Sequence, residues 1–392
     1  MQKYKIDWLS FSVKCYDEEP VNTLNEEILE LLGYDFAEEF SKDISGKNFY
    51  NRGETLGNYV NVFWNDYTDE KNPVRRNSSA TMNVVFTGQG STDLALRNDN
   101  DWIKIFTILT TYEPRNKPKS KDEDDKPSVN ITRIDIALDD FDELVKFDDI
   151  EKKLKKGHYR SSKRSYNIVK TSDQNGQKLG ETIYIGNART ASGSRGNVYA
   201  RMYDKLAQYR EKNQLVTSDV RNHWKKTGKE VWQRYEISFS KNYTNSIVEA
   251  ILNGESIDKI FKGSLRNLLE ILTPRGTDTN KNRWYKTRWW EDFLQYDERK
   301  GFDLPERDVM FAETLEWLRV AVLPTLNVME KIGKERGFDV YDLLRKAKKP
   351  NELSKKQSRI ISDTRNKSDD TINDYLTKFL LGIEIKRERG SK

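Results

Sequence analysis

The chain is poor in the residues that build the commonest metal and redox sites. Of its 392 residues one is cysteine, Cys15, and two are histidine, His158 and His223. A single cysteine excludes an internal disulfide and a cysteine-rich zinc site. No His-hydrophobic-His triplet occurs, so a metal centre built on paired histidines is excluded too. No apolar run approaches the roughly 18 residues of a membrane span, and the opening MQKYKIDW lacks the apolar core of a signal peptide. The expected compartment is the cytoplasm, with no membrane partner. There is no G-x-x-x-x-G-K-[ST] phosphate loop, so the chain carries no nucleotide-driven motor of that kind.

What is present is charge and aromatic surface. Charged residues make up 33% and hydrophobic residues 35%, with 9 Trp, 19 Tyr and 16 Phe to build cores. The length allows one large or two ordinary domains. A net charge of +5 permits nucleic-acid binding without demanding it.

The most informative stretch is YIGNARTASGSRGNVYARMYDK, Tyr184 to Lys205. It reads as a strand, a small polar turn and a second strand. Alternation along the second strand puts Arg201, Tyr203 and Lys205 on one face. A phenol is a poor nucleophile at neutral pH. Adjacent cations stabilise its phenolate and the charge that builds on a phosphodiester under attack. The Ser192–Gly196 turn is small and cationic through Arg195, which suits either close approach of a DNA backbone or a plain hairpin turn.

Two further strands offer carboxylates. In TRIDIALDD, Ile134, Ile136 and Leu138 alternate with Arg133, Asp135, Ala137 and Asp139. In VWQRYEISFS, Arg234, Glu236 and Ser238 share one face, and Tyr235, Ile237 and Phe239 the other. Asp135, Asp139 and Glu236 form an oxygen-rich set suited to Mg²⁺ or Mn²⁺ rather than zinc.

In this order the motifs resemble those of the Rep_trans replication initiation factors of Gram-positive plasmids, and of related relaxases of conjugative elements. The resemblance runs from IDWLSFSV (Ile6 to Val13) through MNVVFTGQGS, TRIDIALDD, TIYIGNARTASGSRGNVYARMYDK, RYEISF and RWWEDFL to ETLEWLRVAVLPTLNVMEKIG, ending at Gly333. It implies a metal-dependent DNA nickase that forms a covalent phosphotyrosine and leaves a 3′-hydroxyl for rolling-circle synthesis. By motif position Tyr203 matches the nucleophile, and Asp135 with Glu236 the metal-site acids, while Asp139 replaces or joins Asp135. Arg201 and Lys205 would steady charge at the phosphate. The implied partners are double-stranded origin DNA, single-stranded DNA, a host helicase and a second copy of the chain. The alternatives are the relaxase of a conjugative or integrative element, and a non-catalytic origin-binding regulator that kept the scaffold.

The pattern predicts an α+β fold, a largely antiparallel sheet with helices on one face, followed by a helical C-terminal region. The expected division is 1–298 for a catalytic domain and 299–392 for the helices. Glu113 to Ser128, rich in mixed charge and proline, is expected to be a flexible loop. Gly88 and Gly90 read as turn residues. NKNRWYKTRWW, Asn280 to Trp290, interleaves cations with aromatics, a pattern for phosphates and unpaired bases. Arg283, Lys286 and Arg288 are its expected DNA contacts, with Trp289 and Phe293 facing a core. Pro324 is expected to interrupt a helix, and a basic run follows from Arg345 to Arg359.

Overall fold

In IDWLSFSV the apolar residues Ile6, Leu9, Phe11 and Val13 alternate except for one phase slip, between Ile6 and Leu9. In the computed structural model this segment is β1 (Gln2–Lys14), and the slip is a β-bulge at Asp7 against its neighbour. The structure describes residues 1–14, 21–40, 42–47, 49–66, 81–114, 128–186, 196–211, 216–295, 311, 314–315, 318–347, 360–361, 364 and 369–383. Arg195 and most of the expected 113–128 loop lie outside them.

After β1 come α1 (Val21–Leu31), α2 (Phe36–Glu39), β2 (Lys42–Ser45), β3 (Arg52–Leu56), β4 (Val60–Trp64), β5 (Thr81–Phe86), α3 (Gly88–Arg97) and α4 (Trp102–Thr111). The middle of the chain holds β6 (Val129–Asp140), α5 (Phe147–Lys155), β7 (Tyr159–Arg160), β8 (Tyr166–Ser172), β9 (Lys178–Ile185), β10 (Val198–Asp204), α6 (Lys205–Glu211) and α7 (Ser218–Thr227). Then follow β11 (Gln233–Ser240), α8 (Asn242–Leu252), α9 (Ile257–Leu268), β12 (Glu270–Thr273), β13 (Tyr285–Lys286) and α10 (Arg288–Leu294).

Ten strands form one sheet in the order β2-β3-β4-β5-β1-β6-β11-β10-β9-β8, and β13-β12-β7 form a small second sheet. Every described pairing is antiparallel. The α+β class and the antiparallel sheet expected from the sequence are thus what the structure has. Strand alternation buries Leu9, Phe11, Ile134, Ile136, Tyr235, Ile237 and Phe239 on one face. Helix α4 covers that core with Ile105, Phe106 and Leu109, and α9 with Ile260, Phe261, Leu265 and Leu268. In both the apolar residues recur at helical spacing, which makes one stripe to bury.

The other face is polar at its centre but not bare. A second small core of Phe141, Leu206, Val220, Trp224 and Trp232 seats α6 and α7 against it. Its opposite rim is α3, an element the sequence reading had as a glycine turn. Gly88 and Gly90 open this helix because the chain passes too close to its neighbours for side chains. A Cβ on Gly90 would stand 2.3 Å from the Tyr59 carbonyl oxygen. Ser91 then donates to the Ile6 carbonyl at 2.8 Å, tying α3 to β1 beside the bulge. Gly90→Ala is expected to cost about 1–3 kcal/mol, since backbone must shift to admit the methyl. An unaltered midpoint in urea unfolding would rule that constraint out.

In RWWEDFL the buried pair is Trp290 with Phe293, their rings 5.4 Å apart, so the core tryptophan is Trp290 and the half-buried Trp289 packs at its margin.

The chain divides into two compact units, Met1–Pro305 and Glu306–Lys392. In the second, a π-helical turn (Leu318–Val322) leads into α11 (Leu323–Arg336). Pro324 sits in the first turn of α11, directly after the π-helical turn, so the helical run changes its hydrogen-bonding pattern at the residue that has no N–H to donate. Gly337, at φ 74°, closes α11. Asp339 caps α12 (Val340–Lys346) by accepting from the backbone N–H of Tyr341 and Asp342. Helix α13 (Asp369–Leu380) packs Tyr375 and Phe379 with Leu315, whereas Leu380 and Leu381 are exposed. Of the basic run, Arg345 and Lys346 end α12, and residues 348–359 lie outside the described residues. No described helix is long and apolar enough to cross a membrane.

Candidate active site

Register places the polar residues of five strands in three rows across the open face. Trp8, Asp135, Ser238 and Tyr199 form the first row. Lys5, Ala137, Glu236, Arg201 and Tyr184 form the second. Lys3, Asp139, Arg234, Tyr203 and Thr182 form the third. Arg201 and Tyr203 are therefore side by side, as alternation predicts. Lys205 is the first residue of α6.

Tyr203 stands within a ring of charge. Its hydroxyl donates to Glu236 Oε2 at 3.4 Å. The Arg201 guanidinium lies 5.4 Å and the Lys205 ammonium 5.6 Å from its ring centroid. Arg201 is ion-paired with Glu236 Oε1. Lys205 donates to Gln208 Oε1 at 2.7 Å. Burial, reinforced by the charge of Glu236, pushes the Tyr203 phenol well above its ordinary range, while Arg234 and Arg201 oppose that rise. Burial and then the like charge of Arg234 lower Lys205 to about 8. Burial first, then the carboxylate of Asp135, raises Glu236 to about 7 against the pull of Arg201. The Glu236 carboxyl and the Lys205 ammonium are thus brought close to one another near neutral pH, while the phenol keeps its proton far more tightly than either.

Beneath this group runs a buried ion network. Arg234, only 3% exposed, donates to both oxygens of Asp139 at 2.7 Å and to Asp7 Oδ1 at 2.9 Å. Trp232 Nε1 adds a 2.7 Å bond to Asp139 Oδ1. Asp7 also meets Lys5 at 2.9 Å. Burial pushes the Asp7 carboxyl up, but Arg234 and Lys5 more than offset it and leave it below its ordinary range. The network fixes β11 to β6 and β1, and so the floor on which Tyr203 rests.

Above the floor lies a cleft of about 1060 Å³. Tyr203, Arg201, Lys205, Lys3 and Lys5 line it together with Trp8, Tyr59, Tyr184 and Tyr209, and Thr87–Gln89 at the start of α3 form one wall.

Residues 129–344, more than half of the chain, match the replication initiation factor family. The chain belongs to this family. The match holds the strands of Asp135, Tyr203 and Glu236, and the resemblance expected from the motifs is met. A rolling circle replication initiator protein from Geobacillus stearothermophilus shares the fold, with a TM-score of 0.56 and 24% sequence identity over 75% of this chain and 96% of that one. Comparison with curated proteins finds no match.

In this replication initiation factor the expected metal acids differ in their partners. Asp139 has both oxygens engaged by Arg234 and Trp232, and it belongs to the floor. Asp135 and Glu236 lie on adjacent strands; Arg133 engages both oxygens of Asp135, at 2.8 and 2.5 Å, and Arg201 pairs with Glu236 Oε1, so all three expected metal acids are held by arginine. Asp135 and Asp7 both raise Glu236, so negative charge is concentrated around Asp135 and Glu236, which are almost fully buried and do not line the cleft, whereas Asp7 and Asp139 do. As oxygen donors Asp135 and Glu236 suit a hard divalent cation in chemistry, but Arg133 and Arg201 would have to release them to it. Among the described residues, the three acids with ligand atoms within 4.8 Å of one another are Asp148, Glu151 and Glu181. They lie on the opposite side of the sheet, because Glu181 alternates with the Tyr203 partner Thr182. Lys170 already reaches all three, at 3.9, 2.5 and 3.6 Å.

The other predicted contacts are elsewhere. Arg283 pairs with Asp278 at 2.8 Å, Lys286 is half-buried on β13, and Arg288 is 94% exposed, 3.8 Å from Asp292. None of the three lines the cleft. His158 packs edge-on against Trp284, and His223 pairs with Asp142. Sequence reasoning missed Asp7, Trp232 and Tyr184. For Asp7 a signal existed, the broken alternation after Ile6 that marks a bulge. Trp232 and Tyr184 show no sign of their place until the sheet is assembled.

The Glu236 shift makes a prediction in the metal-free protein. Its folded carboxyl titrates at about 7, above the ordinary 4.5, so its stabilising contribution is full below 4.5 and is lost as pH rises through 7. Glu236→Gln is therefore expected to gain on the wild type by up to about 3 kcal/mol between about pH 5 and pH 8. Parallel stability–pH curves for the two proteins would contradict it.

Proposed function

We propose that this replication initiation factor starts rolling-circle replication by nicking one strand of its origin through a covalent phosphotyrosine. The observation that carries the reading is Tyr203, hydrogen-bonded to Glu236 and flanked by Arg201 and Lys205 in the polar cleft. The Tyr203 oxygen attacks phosphorus as its proton passes to Glu236 Oε2, the oxygen that accepts the phenol's hydrogen bond. The P–O3′ bond breaks, the 3′-oxygen leaves with the electron pair and takes up a proton, and the 5′-phosphate stays on the tyrosine. Lys205 and Arg201 offset charge on the phosphate oxygens. Asp135 and Glu236 would hold Mg²⁺ or Mn²⁺, which supplies Lewis-acid polarisation of the phosphate. Because the linkage keeps the phosphoester bond energy, the same site can rejoin the strand. The family resemblance adds a host helicase and a second copy of the chain as partners, and Arg283, Lys286 and Arg288 as contacts to origin DNA away from the cleft.

The test uses supercoiled plasmid carrying DNA that neighbours the gene, with Mg²⁺ or Mn²⁺. Metal-dependent open circles, with protein attached to one DNA end, are the expected products. Binding to that DNA with no nick in either metal would replace this reading by a non-catalytic origin-binding role.

A further inference from the structure

Nicking moves two protons, one off the Tyr203 phenol and one onto the departing 3′-oxygen. The first has an acceptor in Glu236, which takes the phenol's hydrogen bond at Oε2. The second needs a donor, because an alkoxide leaves slowly without a proton. In an in-line displacement the attacking and leaving oxygens stand on opposite sides of phosphorus, so donor and acceptor must be separate groups.

The cations around Tyr203 are not equivalent as donors. Arg201 and Arg234 carry guanidinium groups, which keep their protons at any working pH. Arg201 is also paired with Glu236, and Arg234 with Asp139 and Asp7. Of the lysines that line the cleft, Lys3 is paired with Asp219 and Lys5 with Asp7. Lys205 pairs with no carboxylate among the described residues, and its hydrogen bond goes to the neutral Gln208 amide. Burial and the like charge of Arg234 bring it to about 8, against the pull of Asp7, Asp139 and Glu236. Such an ammonium holds its proton at neutral pH and can still release it.

Its place is fixed as well. The backbone N–H groups of Lys205 and Leu206 both donate to the Trp232 carbonyl, at 2.9 and 3.2 Å, which anchors the start of α6 beside β11. Arg201 and Glu236 share the second row, Tyr203 stands in the third, and Lys205 follows beyond it. Along the strand direction, Tyr203 therefore lies between Glu236 and Lys205.

We propose that Lys205 is the general acid of the nick, giving its proton to the 3′-oxygen as the P–O3′ bond breaks, and the base that takes it back when the strand is rejoined. The proposal deepens the nickase reading and rests on it. In the nick Glu236 gains the phenol proton and Lys205 becomes a neutral amine. In rejoining, that amine deprotonates the 3′-hydroxyl, whose oxygen attacks phosphorus, and Glu236 returns its proton to the leaving phenolate. No proton is gained or lost over the cycle.

The test changes the leaving atom. The nick is first mapped with the wild-type chain on the supercoiled plasmid in Mn²⁺. An oligonucleotide spanning it is then made with oxygen or with sulfur as the 3′-bridging atom. A thiol ionises near about 8.5, so a thiolate departs without a proton donor. Lys205→Gln is expected to raise the ratio of sulfur to oxygen cleavage rates by about 10²- to 10⁴-fold, through loss of the oxygen reaction. Lys205→Arg, which keeps the charge but does not release the proton, should raise it equally. Arg201→Gln should slow both substrates together. Each ratio compares two rates in one protein, so partial unfolding of a variant cancels. The wild-type ratio in either Lys205 variant would overturn the proposal and leave Lys205 as a charge alone, with the nickase reading intact. No nick by the wild-type chain on the plasmid would remove the nickase reading, and this role with it.

Discussion

Tyr203→Phe is expected to lower metal-dependent nicking by on the order of 10⁴-fold or more and to abolish the covalent protein–DNA product, as loss of a nucleophile does elsewhere. Only the hydroxyl is removed. The ring keeps its place between Arg201 and Lys205, and the single weak bond to Glu236 is lost, so fold and DNA binding should survive. The other tyrosines do not substitute readily. Tyr199 shares the polar face but is 5% exposed, and Tyr184 faces the cleft one row away, beside Arg201. A phosphotyrosine that persists in the variant, located by peptide mapping of the DNA-linked fragment, would move the nucleophile elsewhere.

Arg234→Leu is expected to be the most destabilising single change in the polar face, at about 3–5 kcal/mol, or about 10 °C in Tm. The side chain is almost wholly buried and answers two carboxylates, Asp7 and Asp139. Its loss leaves buried negative charge without its main partner, which costs more than the ion pair itself was worth. The pH dependence follows in sign. With Arg234 present, Asp7 is held below its ordinary range, so its contribution is present above that range and is lost on acidification. Without the guanidinium, burial lifts the Asp7 carboxyl, and stability should instead fall as pH rises. The deficit is therefore largest at neutral pH and narrows toward about pH 4. The double variant Arg234→Leu/Asp139→Leu should recover part of the loss, because an apolar pair replaces a broken ionic one. Thermal unfolding of the three proteins across pH measures this. A uniform loss at every pH, or no recovery in the double variant, would remove the charge argument and leave packing.

Much of the polar floor of the cleft was legible beforehand because it is made of strands. TRIDIALDD and RYEISF alternate cleanly, and alternation is fixed by backbone geometry whatever the neighbouring strands are. That is why Asp135, Glu236, Arg201 and Tyr203 emerge on one face without knowledge of the sheet order. The misreadings came where local chemistry is ambiguous. Gly88 and Gly90 carry the usual mark of a turn, yet they open α3 because Asp7 and Tyr59 crowd the chain there. In RWWEDFL, spacings of three and four both suit a helix face, and only the packed core selects Trp290 over Trp289.

The sequence by itself determined the α+β class, the strand-borne polar face and the family motifs, because each depends on residues near one another along the chain. It also excluded a histidine or cysteine metal centre by composition alone. Only the tertiary structure decided which partners the acids have. Asp135 and Asp139 stand on the same strand face two pleats apart and are equivalent to any local rule. What separates them is that Arg234 of β11 and Trp232 just before it meet one, whereas Arg133 meets the other from its own strand. Sheet order likewise brought Asp7 and Trp8, more than 120 residues from Asp135 in sequence, to the rim of the same cleft. Ion pairing and cleft shape depend on distances through space, and those exist only once the strands have found their partners.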